Sequence, residues 1–160
     1  MTIRKPRELV RDLARGARIL GLDLGTRTLG LALSDVGRSL ATPYDTIRRS
    51  KLAADLAKLE AIIGKEGVGA LVLGLPVNMD GSEGPRCQAT RQFAADLLKR
   101  IDLPLAFWDE RLSTRAAEAS LLDADASRRR RAAVIDKVAA AVILQGFLDF
   151  AARNPPEAPG

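Results

Sequence analysis

The sequence predicts a single mixed α/β domain: a five-stranded sheet in which a three-strand antiparallel meander precedes two parallel strands, flanked by helices. Three observations lead there. Short apolar runs joined by tight turns fill residues 17–47, further apolar runs stand at 70–75 and 104–108, and helix-period segments separate and follow these. A chain of 160 residues builds one proper core and is too short for two ordinary domains. The expected organisation is a basic N-terminal arm over 1–16, a folded domain over 17–153 and a disordered tail over 154–160.

In the arm, Leu9, Val10 and Leu13 allow one or two helical turns before Gly16. Strand one is expected over about Ala17 to Leu24 and strand two over Thr28 to Asp35, joined by the Gly25-Thr26-Arg27 turn. Strand three follows over Leu40 to Ile47, and Pro43 marks it as an edge. Ser50 is a candidate N-cap for a helix from Lys51 to Glu66, whose Leu52, Leu56, Leu59, Ile62 and Ile63 share one face, with Gly67 and Gly69 ending it.

Ala70 to Leu75 is apolar throughout, as a central parallel strand covered on both faces should be. A loop of turn-formers from Pro76 to Gly84 leads into a helix from Pro85 to about Arg100. Pro104 to Trp108 is the fifth strand; Phe107 and Trp108 alternate in it as core residues. Ser113 or Thr114 caps a short helix ending near Leu122, the polar stretch from Asp123 to Arg131 is expected to be mobile, and a long helix runs from Ala132 to about Arg153.

The composition narrows the chemistry. Twenty-five Lys and Arg against 20 acids give a formal charge of +5, which favours a polyanionic partner. With no histidine, Ser-His and Cys-His nucleophile pairs and histidine-ligated zinc or iron are excluded. The lone Cys87 forms no internal disulfide, fits a reducing compartment and reads as a small helix residue. No continuous apolar segment marks a signal or a membrane span, so a soluble, cytoplasmic protein is expected. An enzyme of this composition must work through carboxylates, lysine or a hard cation.

Three acids stand where such chemistry needs them. Asp23 interrupts an apolar strand between Leu22 and Leu24, so it either faces solvent or is held in a cleft beside a cation. Glu110 follows the fifth strand, where the plainer alternative is a salt bridge to Arg111. Asp136 lies on the face of the last helix shared by Ala139, Ala140 and Ile143; the plainer alternative is a first-turn acid favoured by the helix dipole. Right-handed crossovers bring Asp23, the loop after Leu75 and Glu110 to the carboxyl ends of the parallel strands. Three carboxylates there require a cation, and Mg²⁺ or Mn²⁺, as one or two ions, suits an all-oxygen site that hydrolyses phosphodiesters.

Gly21-Leu22-Asp23-Leu24-Gly25-Thr26, Gly74-Leu75-Pro76-Val77-Asn78-Met79-Asp80-Gly81-Ser82-Glu83-Gly84, Asp109-Glu110-Arg111-Leu112-Ser113-Thr114 and Asp136-Lys137-Val138-Ala139-Ala140 with Ile143-Leu144-Gln145 stand in this order. Together they closely resemble the YqgF/RuvX family over about residues 18–150. The resemblance implies an RNase H-like fold and a nuclease maturing the 5′ end of pre-16S ribosomal RNA, or a Holliday-junction resolvase. It places the catalytic and metal-holding centre on Asp23, Glu110 and Asp136. Lys137 departs from the family pattern, and a cation there would pair with Asp136.

The candidate substrate contacts are Thr26, Arg27, Asn78, Gly81, Arg111 and the run Arg128, Arg129, Arg130 and Arg131. Gly74 to Gly84 either presents backbone N–H groups to a phosphate or merely connects strand to helix. Arg111 either neutralises transition-state charge or locks Glu110, and the arginine run either binds phosphate or is a solvated face. The leading substrate is structured RNA, with ribosomal precursor particles as partners. Branched DNA is the rival and would require a homodimer instead of a monomer. Two other readings differ in class: ATP binding, disfavoured because such folds close two domains over the nucleotide, and a non-catalytic ribosome-assembly factor that retains the acidic cleft.

Overall fold

A computed structural model of the chain describes residues 3–112 and 128–156, the side chains of 128–134 excepted. The strands are β1 (Arg18–Leu24), β2 (Thr28–Ser34), β3 (Ala41–Arg48), β4 (Val68–Leu75) and β5 (Leu105–Asp109). The helices are α1 (Leu52–Glu66), α2 (Pro85–Leu98) and α3 (Arg128–Arg153). They form one mixed sheet in the order β3-β2-β1-β4-β5, with β1 antiparallel to β2, β2 antiparallel to β3, and β4 parallel to both β1 and β5. The expected meander and the two parallel strands beside strand one are both present.

Strand alternation divides the core into two layers. Leu20, Leu22, Leu29, Leu31, Leu71, Leu73 and Leu105 face one side, where they pack with Leu56 and Leu59 of α1 and Phe93, Ala94 and Leu97 of α2. Ile19, Ala32, Ala70, Val72, Ala106 and Trp108 face the other, covered by Ala140, Ile143, Leu144, Phe147 and Leu148 of α3. Trp108 meets Phe147 edge-on at 6.0 Å and Phe150 at 5.5 Å, so the indole is a core residue. Cys87 is fully buried in α2.

Pro43 does sit on the edge strand, at a bulge: Asp45 pairs with Leu31 and Pro43 with Ala32, leaving Tyr44 as the extra residue. Gly67 caps α1 in the left-handed conformation (φ 66°), whereas Gly69 belongs to β4. Ser50 does not cap α1. The bond runs the other way, with the Ser50 amide and hydroxyl donating to the buried Asp55 carboxylate at 3.1 Å each.

Two boundaries differ from expectation. The N-terminal segment lies on the sheet: Leu9 is fully buried, Ile3 forms a parallel bridge to Leu105, and the Arg4 amide donates to the Leu105 carbonyl at 2.8 Å. Its backbone adds to the open edge of β5 at Ile3 and Arg4, and Leu9 packs into the core layer beneath α3. The last helix begins at Arg128 instead of Ala132, so the four arginines form its first turn, although their side chains lie outside the described residues. Arginine is a good helix former, and four of them extend the helix backward from its apolar body. The expected cap at Ser113 or Thr114, the short helix to Leu122 and the stretch 123–127 also lie outside the described residues. No helix among the described residues is long and apolar enough to cross a membrane.

Candidate active site

Asp23 occupies the position on β1 that, after Ile19 and Gly21, points toward α3. Its cross-strand partner is Gly30 of β2, and that glycine explains how Asp136 comes near. A Cβ on Gly30 would lie 2.0 Å from the Asp136 carbonyl oxygen, so the bare backbone lets the first turns of α3 settle directly on the sheet beside Asp23. Gly74 does the same for the third acid. It pairs with Trp108, and a Cβ there would lie 2.9 Å from Glu110 Oε1 and 3.3 Å from its Cγ. Glu110 opens a short 3-10 turn at the end of β5, and its side chain lies back across β4.

The structure therefore brings Asp23, Glu110 and Asp136 to one end of the sheet, from three separate segments. Their electrostatics show the crowding. Burial pushes the Asp23 carboxyl up to about 7, helped by the charge of Glu110, a hydrogen bond shared with Glu110 and the charge of Asp136; Arg86 acts in the opposite sense. Among the described residues no three side chains are already closed up as a metal cage. Asp23 and Glu110 are the touching pair, and Asp136 acts through its charge. An all-carboxylate donor set with a proton trapped in it fits a hard divalent cation, which would replace that proton.

Arg111 does not lock Glu110. Its guanidinium grips Asp109, with Nη2 to Oδ2 at 2.6 Å and Nε to both oxygens at 3.0 and 3.1 Å. These bonds hold the Asp109 carboxyl well below the usual range and leave Glu110 to the acidic centre. The register decides this: Asp109 is still in β5 and faces away from α3, on the side Arg111 reaches from the next turn. The remaining Nη1 approaches the Met79 carbonyl at 3.5 Å and tethers the 76–84 loop. Lys137 forms no ion pair with Asp136 among the described residues.

Asn78 and Gly81 shape that loop from within. The Gly81 amide (φ 90°) donates to the Asn78 carbonyl and the Asn78 amide to the Ser82 carbonyl, both at 2.9 Å, and Asn78 Nδ2 donates to Ser82 Oγ at 3.1 Å. Glu83 pairs with Arg91 of α2 at 2.7 Å, fixing the far end. Thr26 and Arg27 are exposed on the β1–β2 turn, which Arg49 holds through the Gly25 carbonyl at 2.6 Å. The side chains of Arg128, Arg129, Arg130 and Arg131 lie outside the described residues.

One residue escaped sequence reasoning. Arg86, in the first turn of α2, lines a cleft of about 520 Å³ with Glu110 and the loop, and its charge reaches Asp23. The signal for it is Pro85. A proline opening a helix directly after a strand-end loop returns the next residue to the carboxyl edge of the sheet.

The meander-first sheet with a long helix laid across one face is the RNase H-like fold. Two solved structures show the same fold at 13–14% identity: RuvC of T. thermophilus in complex with a Holliday junction substrate (TM-score 0.56, 88% of this chain and 99% of that one) and the yeast mitochondrial Holliday junction resolvase Ydc2 (TM-score 0.53, 92% and 85%). Within that class the chain belongs to the RuvX family, described as Holliday junction resolvase, whose model matches residues 17–150. A relative from Paramagnetospirillum magneticum, named "Putative pre-16S rRNA nuclease", is 62% identical over 149 residues, 93% of this chain and 96% of its own. One from Roseobacter denitrificans with the same name is 62% identical over 133 residues, 82% of each chain. By family the chain is a nuclease, a hydrolase of phosphodiester bonds.

Proposed function

We propose that the chain is a divalent-metal-dependent endonuclease that cuts structured RNA at the 5′ end of pre-16S ribosomal RNA, on ribosomal precursor particles in the cytoplasm. The observation that carries this reading is the convergence of Asp23 at the end of β1, Glu110 just after β5 and Asp136 of α3, close enough that Glu110 and Asp136 both help to raise the Asp23 carboxyl. The name carried by the relatives favours pre-16S RNA as the substrate.

Asp23, Glu110 and Asp136 would hold Mg²⁺ or Mn²⁺, as one or two ions. A bound cation of this kind supplies an acidified water and neutralises charge on the phosphate. The chain's own contribution is preorganisation. With its carboxyl pushed up to about 7 by burial and by Glu110 and Asp136, Asp23 is only partly ionised at neutral pH, so a cation loading the site displaces that proton. Gly30 and Gly74 set the spacing of the acids, and the Arg111–Asp109 pair holds the loop that walls the cleft beside Glu110. Arg86 offers a cation to the incoming backbone.

The test compares wild type and Asp23→Asn on a pre-16S 5′-leader RNA and on a synthetic four-way DNA junction, with Mg²⁺ or Mn²⁺ and with EDTA. Metal-dependent cleavage of the RNA alone, abolished by the substitution, is the expected result. Cleavage confined to the junction transfers the same site to branched DNA. Binding without cleavage, unchanged in Asp23→Asn, overturns the enzyme reading in favour of an assembly factor.

A further inference from the structure

We infer that the cleft between the 76–84 loop and the start of α2 is a nucleotide subsite flanking the reacting bond, in which Arg86 takes a neighbouring phosphate and Met79 packs on the adjoining base. This rests on the nuclease reading and adds to it two residues outside the acidic centre.

The space is adequate. The cleft measures about 520 Å³, within the roughly 300–1,000 Å³ of small-ligand sites, and Glu110 forms one wall while Pro76, Met79, Pro85 and Arg86 line the others. A ligand seated there lies directly beside the acidic centre.

Its polar anchor is identified by elimination. Arg111 is committed to Asp109, Arg91 to Glu83, and Arg49 to the carbonyl of Gly25. Arg86 is exposed, lines the cleft and has no salt-bridge partner among the described residues. Three clustered acids repel an incoming phosphate, and a guanidinium at the cleft's lip offsets that repulsion where the backbone enters. The planar fork also suits bidentate phosphate binding, which a lysine cannot reproduce.

Met79 supplies the apolar half. Its side chain is 84% exposed on a loop tied by three internal backbone hydrogen bonds, at 2.9 Å each: Asn78 to Ser82, Gly81 to Asn78, and Val77 to Leu75. The tied backbone presents this side chain to water beside the cleft. An unbranched thioether conforms to flat surfaces, and methionine is among the side chains that wedge against bases. Phosphate on one wall and an apolar contact on another match one nucleotide whose base is unstacked, as in single-stranded or bulged RNA.

The experiment measures binding of fluorescein-labelled, single-stranded pre-16S leader RNA to the full chain in EDTA over a range of salt. It compares wild type, Arg86→Lys, Arg86→Gln, Met79→Leu and Met79→Ala, with thermal melting of each to establish folding. Arg86→Gln binds about tenfold more weakly. Its slope of log affinity against log salt falls by about 0.7, as loss of one phosphate contact on a single strand requires. Arg86→Lys keeps the slope and part of the affinity. Met79→Ala weakens binding about fivefold at unchanged slope, and Met79→Leu restores it. In RNAs carrying 2-aminopurine at successive positions, one position changes emission on binding wild type and no longer does so with Met79→Ala. Folded Arg86→Gln and Met79→Ala proteins that bind with wild-type affinity and slope overturn the subsite. A wild type that binds through both residues yet cuts nothing under Mn²⁺ overturns the nuclease reading and leaves the subsite standing.

Discussion

Replacing Gly30 with alanine adds one methyl group to the interface between β2 and α3. Its Cβ would stand 2.0 Å from the Asp136 carbonyl oxygen and 2.5 Å from the carbonyl carbon. Both are backbone atoms, so no rotamer change relieves the clash. The start of α3 must withdraw by about 1.4 Å to restore an ordinary 3.4 Å contact. Overpacking of this kind costs about 1–3 kcal/mol, from which the loss of glycine's freedom in the unfolded chain returns about 0.4–1 kcal/mol. The net cost of up to about 2.6 kcal/mol lowers the melting temperature by up to about 10 °C, at about 2–4 °C per kcal/mol for a chain of this size. Catalysis suffers more, because an error near 1 Å in a reacting group costs about 100-fold. The expected result for Gly30→Ala is a folded protein that binds RNA normally and has kcat reduced about 100-fold. Gly64→Ala is the control. No atom lies within 4 Å of its new Cβ, and removing a glycine from the interior of α1 stabilises by about 0.5–1 kcal/mol with kcat unchanged. If Gly30→Ala melts and cleaves like wild type, close seating of α3 does not position Asp136 and the argument fails.

The remaining predictions concern charge. Asp23 is protonated in folded and unfolded chains below about pH 4; between there and about 7 only the folded chain keeps the proton, so wild-type stability falls as pH rises through that window and levels off above it. Asp23→Asn removes this dependence and is more stable than wild type at pH 8, by on the order of a few kcal/mol, so it melts higher there, with the gap closing toward pH 4 in thermal melts. Because a cation takes the place of the proton, Mn²⁺ raises the wild-type melting temperature more at pH 8 than at pH 6, EDTA reverses this, and Asp23→Asn loses most of the response. Arg111→Ala and Asp109→Ala both loosen the loop and lower kcat/KM by about tenfold, each alike. A loss of about 10³-fold confined to Arg111→Ala would instead identify Arg111 as a transition-state cation.

The acids were legible because each breaks a local pattern. Asp23 interrupts an aliphatic alternation, Glu110 ends a strand, and Asp136 shares a helix face with alanines and isoleucine. The meander and the parallel pair followed from run lengths and turn residues. Less legible was anything set by tertiary partners. Arg111 and Glu110 are adjacent in sequence, which made their pairing plausible, but the strand register turns Asp109 toward Arg111 and Glu110 toward Gly74. Leu9 reads as part of a polar arm because its burial depends on strand and helix residues far along the chain, in the layer beneath α3. Ser50 looked like a cap, and the buried carboxylate five residues on reversed the direction of that bond.

The deeper asymmetry is between residues that act and residues that make room. A carboxylate advertises itself in an apolar run. A glycine within a strand reads as a weak point, and nothing local distinguishes Gly30 or Gly74 from any other irregularity. Yet Gly30 stands across the ladder from Asp23 and beneath the backbone of Asp136, while Gly74 lies beneath Glu110, so the absence of two side chains sets the distances among three others. A site built this way tolerates little change in its floor, because a methyl group on Gly30 meets the main chain of α3 and one on Gly74 meets the side chains of Ile143 and Glu110. Its walls are under looser constraint. The 76–84 loop and Arg86 meet Glu110 across the cleft, so, on the proposed reading, substitutions at Met79 or Arg86 alter how the nucleic acid is held before they alter the spacing of the carboxylates.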